Sequence, residues 1–348
     1  MKKVLYITIV SNQVGGGMSG LNRNLKLIKG VPNIDLHICQ VQMQSKISAL
    51  YSALTGGNLI LSYKDEKKII DQIIAGQYDF VFQEGTTSGH LAESIAKTGT
   101  KLIVFGHNVE TVLYQERAKT YKYNLLEQLK YFCVKRNEKK SANYSSTLIG
   151  LTQRDSSTFR KFFGKCADVI IPVSSPSVTL KNIEKEEEYG LFVGSNFFPN
   201  NEGIEWFVKH VAPYINKKIK VVGSCCKTIT YLTDELKDKV EVLGLVDDLS
   251  SVYEGASFVI VPLFKGSGMK TKTIEAMSYG KTIFGTDECF QGIDCNYEKI
   301  GGLCNTDKQF IEKINSFNGA LINDYVLKLF KENYSNEAVQ EKFNKLFE

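Results

Sequence analysis

The residues best suited to chemistry lie in one short stretch, Lys265-Gly266-Ser267-Gly268-Met269-Lys270-Thr271-Lys272-Thr273-Ile274-Glu275, which follows the apolar run Phe258-Val259-Ile260-Val261. Gly266 and Gly268 admit backbone conformations closed to other residues, so amides can turn inward. The helix that begins here adds unpaired N–H groups and the positive end of its dipole. Lys265, Lys270 and Lys272 crowd that helix start, where each cation costs roughly 0.3–1 kcal/mol against the dipole. An anion such as pyrophosphate reverses the sign of that cost, so the stretch reads as an anion grip. Glu275 stands four residues after Thr271 and three after Lys272 and shares their helix face. A carboxylate beside a phosphate site suits a sugar or ribose diol, from which it accepts two hydroxyl hydrogen bonds. The plainer alternative is a solvated Lys272 and Glu275 pair on an ordinary surface helix.

Two other loops carry candidate groups. Lys101-Leu102-Ile103-Val104-Phe105 runs into Gly106-His107-Asn108-Val109-Glu110, which places His107 at the carboxyl end of a strand. A histidine there can donate a hydrogen bond to a sugar or phosphate, or move a proton. Equally, Asn108 caps the next helix, Glu110 supports its first turn, and His107 is a bystander. The first loop, Gly15-Gly16-Gly17-Met18-Ser19-Gly20, formally contains G-x-G-x-x-G. A dinucleotide fold is disfavoured, because four residues separate the strand from the first glycine. Nor does an acid follow the second strand, where Gln40 and Gln42 stand.

These loops need strands to present them. Apolar runs at 4–10, 36–41, 80–82, 102–105, 147–150 and 169–172 alternate with helical periodicity at 19–28, 67–75, 91–97, 111–141 and 156–163. Continuous apolar strands alternating with helices predict a parallel sheet covered on both faces. Residues 173–188, with Ser174-Ser175-Pro176-Ser177 and a run of charge, read as a linker. The alternation then restarts. Strands are predicted at 189–193, 219–222, 240–243, 258–261, 282–285 and 302–304, and helices at 201–211, 230–236, 249–254, 272–279 and 308–316. Residues 322–347 read as one or two further helices. The expected fold is therefore α/β, two tandem doubly wound Rossmann-like domains with a cleft between them, lined by the carboxyl ends of the strands. The domains are expected at 1–173 and 174–328, with 329–348 a C-terminal helix packing back on the first domain.

Composition agrees with a soluble globular chain: 348 residues, 43% hydrophobic, 23% charged and a net charge of +5. Of the eight cysteines none forms C-x-x-C and most sit in apolar runs, so they read as reduced thiols of a cytoplasmic protein, not as disulfides or a zinc site. The first apolar run ends by Val10, too short for a signal sequence or a bilayer span. Residues 114–144 are the charge anomaly, with Arg117, Lys119, Lys122, Lys130, Lys135, Arg136, Lys139 and Lys140 interleaved with Tyr121, Tyr123, Tyr131 and Phe132. Such a helix can lie on an anionic membrane surface, or be a solvated helix with a core stripe. No recognised module supports nucleic-acid binding.

The stretch Ile274-Glu275-Ala276-Met277-Ser278-Tyr279-Gly280, behind a strand, Pro262 and a glycine loop, resembles the donor-binding motif of GT-B glycosyltransferases, especially family 4 (group 1). The resemblance implies that Glu275 holds the nucleotide ribose. It places Ser267 where a glutamate that contacts the donor sugar is commonest, in a Gly-Ser-Gly-x-Lys variant that also includes Gly266, Gly268, Met269, Lys270, Thr271 and Lys272. Phe192-Val193-Gly194-Ser195 with Pro199-Asn200-Asn201-Glu202-Gly203 and Trp206-Phe207 looks like the opening of the family's second domain. The Arg and Lys frequent there are absent, which shifts phosphate binding to Lys270 and Lys272. Val242-Leu243-Gly244 with Asp247-Asp248-Leu249 looks like the segment whose backbone, at Gly244, meets the base. His107 matches a recurrent family histidine, and the first loop, with Gly16 and Gly17 closest, is implied to lie against the donor diphosphate.

The implied activity is hexosyl transfer from a nucleotide-diphosphate sugar to a hydroxyl of a glycan or lipid-linked acceptor, in surface polysaccharide or glycan assembly, with retention of configuration. His107, Lys270 and Glu275 are the expected catalytic set, Lys270 and Lys272 stabilising the departing diphosphate. No Asp-x-Asp stands at a strand end, so no metal and no cofactor is expected. The expected location is cytoplasmic, on the inner face of the membrane if 114–144 makes its contact. A non-catalytic glycosyltransferase-like partner and a GT-B-like nucleotide-sugar epimerase are the rival functions.

Overall fold

The computed structural model describes residues 1–10, 16–180, 188–230 and 232–348. They form two compact units: Met1–Pro172 with Gln340–Glu348, and Val173–Val339.

In the first unit the chain runs β1 (Lys2–Val10), α1 (Gly16–Lys29), β2 (Ile34–Gln42), α2 (Lys46–Thr55), α3 (Tyr63–Gly76), β3 (Phe80–Glu84), α4 (Gly89–Ala96), β4 (Lys101–Phe105), α5 (Glu110–Thr120), α6 (Leu125–Tyr144), β5 (Thr147–Gly150), α7 (Gln153–Phe163) and β6 (Val169–Ile170). The strands form one parallel sheet in the order β2-β1-β3-β4-β5-β6. The apolar strands are buried on both faces, with Leu5, Val81, Leu102, Val104 and Leu148 packed against Ile69, Ile73, Leu91, Ile95 and Phe159 from the helices. Each such side chain removed from water contributes about 1.5–3 kcal/mol. The last residues of the chain join this core: Phe343 stacks against Phe82 and Phe105, and Gln340 Nε2 donates to Leu27 O at 2.9 Å.

In the second unit the order is β7 (Tyr189–Val193), α8 (Phe198–His210), β8 (Lys218–Val222), α9 (Asp234–Lys237), β9 (Val240–Gly244), α10 (Leu249–Gly255), β10 (Phe258–Val261), α11 (Thr271–Ser278), β11 (Thr282–Gly285), α12 (Tyr297–Ile300), β12 (Gly301–Leu303), α13 (Asp307–Asn315), α14 (Asp324–Asn333) and α15 (Asn336–Lys345), whose last residues belong to the first unit. The sheet is again parallel, ordered β12-β11-β10-β7-β8-β9. Chain order reverses between β7 and β10, so the loops after these two strands open side by side at the switch point, where doubly wound sheets bind ligands. Gly203 brings α8 up to one of them, since a Cβ there would stand 2.3 Å from Pro262 O.

Several expectations need correction. The single helix expected over 111–141 is two, α5 and α6, because Asn124 caps a new helix by accepting from Leu126 N and Glu127 N. The helix expected over 230–236 shrinks to α9, behind a 3-10 turn at Ser224–Thr228. Helix α1 starts at Gly16, not residue 19. Helix α2 was not expected at all, although Ser45 caps it and Gly56 ends it in the left-handed region. The described part of the presumed linker is not loose: Ser174 Oγ donates to Asn336 Oδ1 at 2.8 Å, and Ser175 bridges Ser335. Residues 181–187 lie outside the described residues.

Candidate functional site

At the switch point of the second unit, β7 is followed by Gly194 and Ser195. Gly194 is fixed by backbone bonds, its N–H donating to Val222 O at 2.9 Å and its carbonyl accepting from Cys225 N at 3.2 Å. Helix α8 follows with Pro199 in its first turn, a position where the missing N–H costs nothing. Its Asn200 is buried and donates through Nδ2 to Ser195 O at 2.9 Å and Ser195 Oγ at 3.2 Å. The other face of the same amide, Oδ1, accepts from Lys272 Nζ at 2.7 Å. Asn200 thus joins the two loops, and sequence reasoning assigned it no role.

After β10, Gly266 and Gly268 take φ of 153° and 63°, values that favour glycine, as the anion-grip reading requires of that loop. Met269 is buried, its sulfur accepting from Val173 N at 3.4 Å. Lys270 occupies the N-cap position of α11, which has no side-chain cap, and Thr271 opens the helix.

The three lysines are not alike, and this corrects the expectation that all crowd the helix start uncompensated. Lys265 pairs with Glu202 at 2.9 Å on the exposed surface. Lys270 pairs with Glu288 Oε1 at 2.6 Å and also donates to Gly268 O at 2.9 Å and Ser267 O at 3.3 Å. Lys272 lies 4.3 Å over the Phe192 ring and makes no ion pair among the described residues. Burial holds its pKa down to about 8, with Cys225 and Glu275 pulling the other way. A half-buried cation whose hydrogen-bond partner is a neutral amide is the group here that an anion would most stabilise.

Glu275 accepts from Tyr253 Oη at 3.4 Å, and burial raises its pKa while Lys272 lowers it. Tyr253 stacks on Tyr279 at 4.9 Å. Lys272 and Glu275, three residues apart, form no solvated surface pair; both are partly enclosed. Gly244 ends β9 with φ 74°, and its carbonyl accepts from Gly223 N at 2.7 Å.

The first unit has its own polar cluster at the carboxyl ends of its strands. Glu84, the last residue of β3, accepts from Tyr6 Oη at 2.6 Å, Asn24 Nδ2 at 3.0 Å and His107 Nε2 at 2.6 Å. Arg23 Nε donates to Asn24 Oδ1 at 3.0 Å, and burial lowers its pKa to about 10. Burial, then Glu84, raises the Tyr6 phenol. Gly16 and Gly17 open α1, while residues 11–15, the rest of that loop, lie outside the described residues. No group of metal-binding side chains occurs among the described residues.

Glu84 and Glu288, like Asn200, went unassigned from sequence. Both stand where a parallel strand ends, at the end of β3 and three residues past β11, which is the signal that could have found them.

Two parallel doubly wound units in tandem, with a glycine loop at the switch point of the second, define the GT-B class of α/β fold. Residues 187–317, which lie within the second unit, match the family described as glycosyl transferases group 1. The fold is similar to that of sucrose-phosphate synthase from Thermosynechococcus elongatus, with TM-score 0.74 and 15% identity over 100% of this chain and 98% of that one. It is similar also to Anabaena HepE, solved in complex with UDP-glucose, with TM-score 0.67 and 12% identity over 99% of each chain. A glycosyltransferase from Rickettsia africae gives TM-score 0.67 at 14% identity, over 99% of this chain and 97% of its own. At such identities these likenesses speak for the fold. A curated relative, an uncharacterized 44.6 kDa protein in the cps region of Klebsiella pneumoniae, is 25% identical over 170 residues, a match that takes in 43% of this chain and 43% of the relative's length.

Proposed function

We propose that the protein transfers a sugar from a nucleotide-diphosphate sugar to a hydroxyl acceptor, and that the second unit holds the donor. The observation that carries this is Lys272, a half-buried ammonium at the switch point, bonded to Asn200 and with no carboxylate partner among the described residues. A diphosphate placed there meets Lys272, the amides at the start of α11 and the backbone of the glycine loop. Charge that develops on the departing diphosphate is stabilised by the same groups, without help from a metal. Glu275 takes the ribose diol, Ser195 and Gly194 close the other side, and Gly244 stands where the base would meet backbone. His107 acts on the sugar or on a proton. The relative in the cps region and the UDP-glucose complex of HepE support a hexosyl donor and a role in surface polysaccharide or glycan assembly. Retention of configuration follows the family resemblance.

The test is a thermal-shift screen of the full chain against nucleoside diphosphates and their sugars, with Lys270→Ala, Lys272→Ala and Glu275→Ala alongside. Stabilisation of the wild type and its loss in Lys272→Ala and Glu275→Ala is the expected result. If no nucleotide stabilises the wild type, the donor site is wrong. A non-catalytic partner would bind but not turn over donor, and an epimerase would interconvert sugars without an acceptor.

A lipid-linked acceptor on the inner face of a membrane is the second part of the proposal, and one observation favours it. Ile47, Leu50, Tyr51 and Leu54 stand exposed on α2, which is tied to basic α6 through Arg136 Nη2 donating to Ala53 O at 3.3 Å. No helix among the described residues is long and apolar enough to cross a membrane, so such contact would be peripheral.

A further inference from the structure

The loop after β10, Pro262-Leu263-Phe264-Lys265-Gly266-Ser267-Gly268-Met269-Lys270, contains no acidic residue. A carboxylate nevertheless lies against it. Strands β10 and β11 are parallel neighbours, with Val261 opposite Gly285, so their following loops emerge together. Thr286 Oγ1 donates to Leu263 O and ties the two loops. Thr273 Oγ1 donates to Cys289 O at 3.1 Å and fixes the far side. Between these ties stands Glu288, its Oε1 2.6 Å from Lys270 Nζ. The same oxygen is 3.2 Å from where a Cβ on Gly266 would sit. Both partners of the pair are largely enclosed, with side chains 10% and 14% exposed.

We propose that Glu288 is the residue that reads the transferred sugar, its carboxylate accepting hydroxyl hydrogen bonds from the hexose of the donor. The inference rests on the donor-site reading above. Lys270 donates to Glu288, Ser267 O and Gly268 O. A phosphate oxygen reaching Lys270 competes with Glu288 for that ammonium. The displaced carboxylate then meets the hexose, whose vicinal hydroxyls are donors at the spacing a carboxylate accepts. A nucleoside diphosphate without sugar offers it nothing and only repels it. Glu288 therefore opposes binding of the bare diphosphate and favours the sugar-bearing form, so its removal moves the two affinities in opposite directions. A residue that merely held Lys270 in place would move both the same way.

The experiment is calorimetric titration of the full chain and of Glu288→Gln with UDP and UDP-glucose, GDP and GDP-mannose, and dTDP and dTDP-glucose. For the pair that binds the wild type best, Glu288→Gln should bind the diphosphate a few-fold more tightly, and the nucleotide sugar about tenfold more weakly. Equal losses for both would overturn the role of Glu288 and leave the donor site standing. Failure of the wild type to bind any of the six would overturn the donor site and this inference with it. Glu288→Asp, which keeps the charge and retracts it by one methylene, serves if the glutamine variant does not fold: it should weaken the sugar nucleotide selectively, and equal affinities to wild type would count against the proposal.

Discussion

His107 Nε2 stands 2.6 Å from Glu84 Oε2, and the Glu84 side chain is 2% exposed. With the carboxylate as acceptor, the imidazole donates through Nε2–H. Tyr6 and Asn24 donate to the same carboxylate. Glu84 is thus a buried acceptor that sets the orientation of His107 from beneath, and strand β3 sets Glu84.

Glu84→Gln should be costly, because its amide nitrogen would face groups that are all donors here. Leaving one buried donor unmatched costs about 1–3 kcal/mol, which for a unit of this size lowers Tm by several degrees. His107→Ala leaves Glu84 with Tyr6 and Asn24 and should destabilise less, while lowering transfer by about 10²-fold if His107 moves a proton. Thermal denaturation beside initial rates separates the two. A His107→Ala rate within a few-fold of wild type would return His107 to a structural role.

Lys272 makes donor binding pH-dependent in a stated direction. Its pKa in the free protein is held down to about 8 by burial, and a bound diphosphate raises it again. Affinity should therefore be flat below pH 7 and weaken above pH 8, by up to about tenfold per unit. The phosphates are fully ionised there and add no slope of their own. Lys272→Ala should lose about 1.5–3 kcal/mol of a charge-assisted hydrogen bond and flatten the profile. Titrations of wild type and variant between pH 6.5 and 9.5 check both, and a slope that persists in the variant assigns it elsewhere.

The sequence was readable where one signal dominated. The apolar strands 258–261 and 282–285 coincide with β10 and β11, because a strand buried on both faces must be continuously apolar. The glycine loop was legible because Gly266 and Gly268 need backbone angles that other residues resist. Partnership was not legible. Nothing in local spacing distinguishes Lys270 from Lys272, since Glu288 is supplied by another strand and Asn200 by another helix. Helix α2 was missed for a related reason. Ile47, Leu50, Tyr51 and Leu54 have helical spacing but face outward, so the helix contributes little to the core pattern that identified the rest.

Glu275 should be a reader of the ribose diol and of nothing else on the nucleotide. If so, Glu275→Gln weakens a ribonucleoside diphosphate about tenfold, within the 1.5–3 kcal/mol range of a hydrogen bond to a charged group, and leaves the 2′,3′-dideoxy form unchanged. Tyr253, stacked on Tyr279 and bonded to Glu275 at 3.4 Å, keeps its partner in the glutamine variant. Calorimetry with the two nucleotides decides it, and equal losses for both would mean that Glu275 acts through the fold of α11.

The exposed face of α2 gives the membrane contact a sharp test. Ile47 is 84% exposed and Leu54 is 67% exposed, so glutamate at both positions loses no core packing and should change stability by no more than about 0.5 kcal/mol each. On a lipid surface the same two changes bury charge and place it near anionic headgroups. Lys46, Lys122 and Lys139 are exposed on the same unit, and each lysine near an anionic surface contributes about 1 kcal/mol, fading within a Debye length. Wild type should therefore co-sediment with phosphatidylserine-rich vesicles, less with neutral ones and less at high salt, and the I47E/L54E double variant should stay in solution at an unchanged Tm. Binding of the variant equal to wild type would move the contact off α2, and absence of wild-type binding to anionic vesicles would remove the peripheral contact altogether.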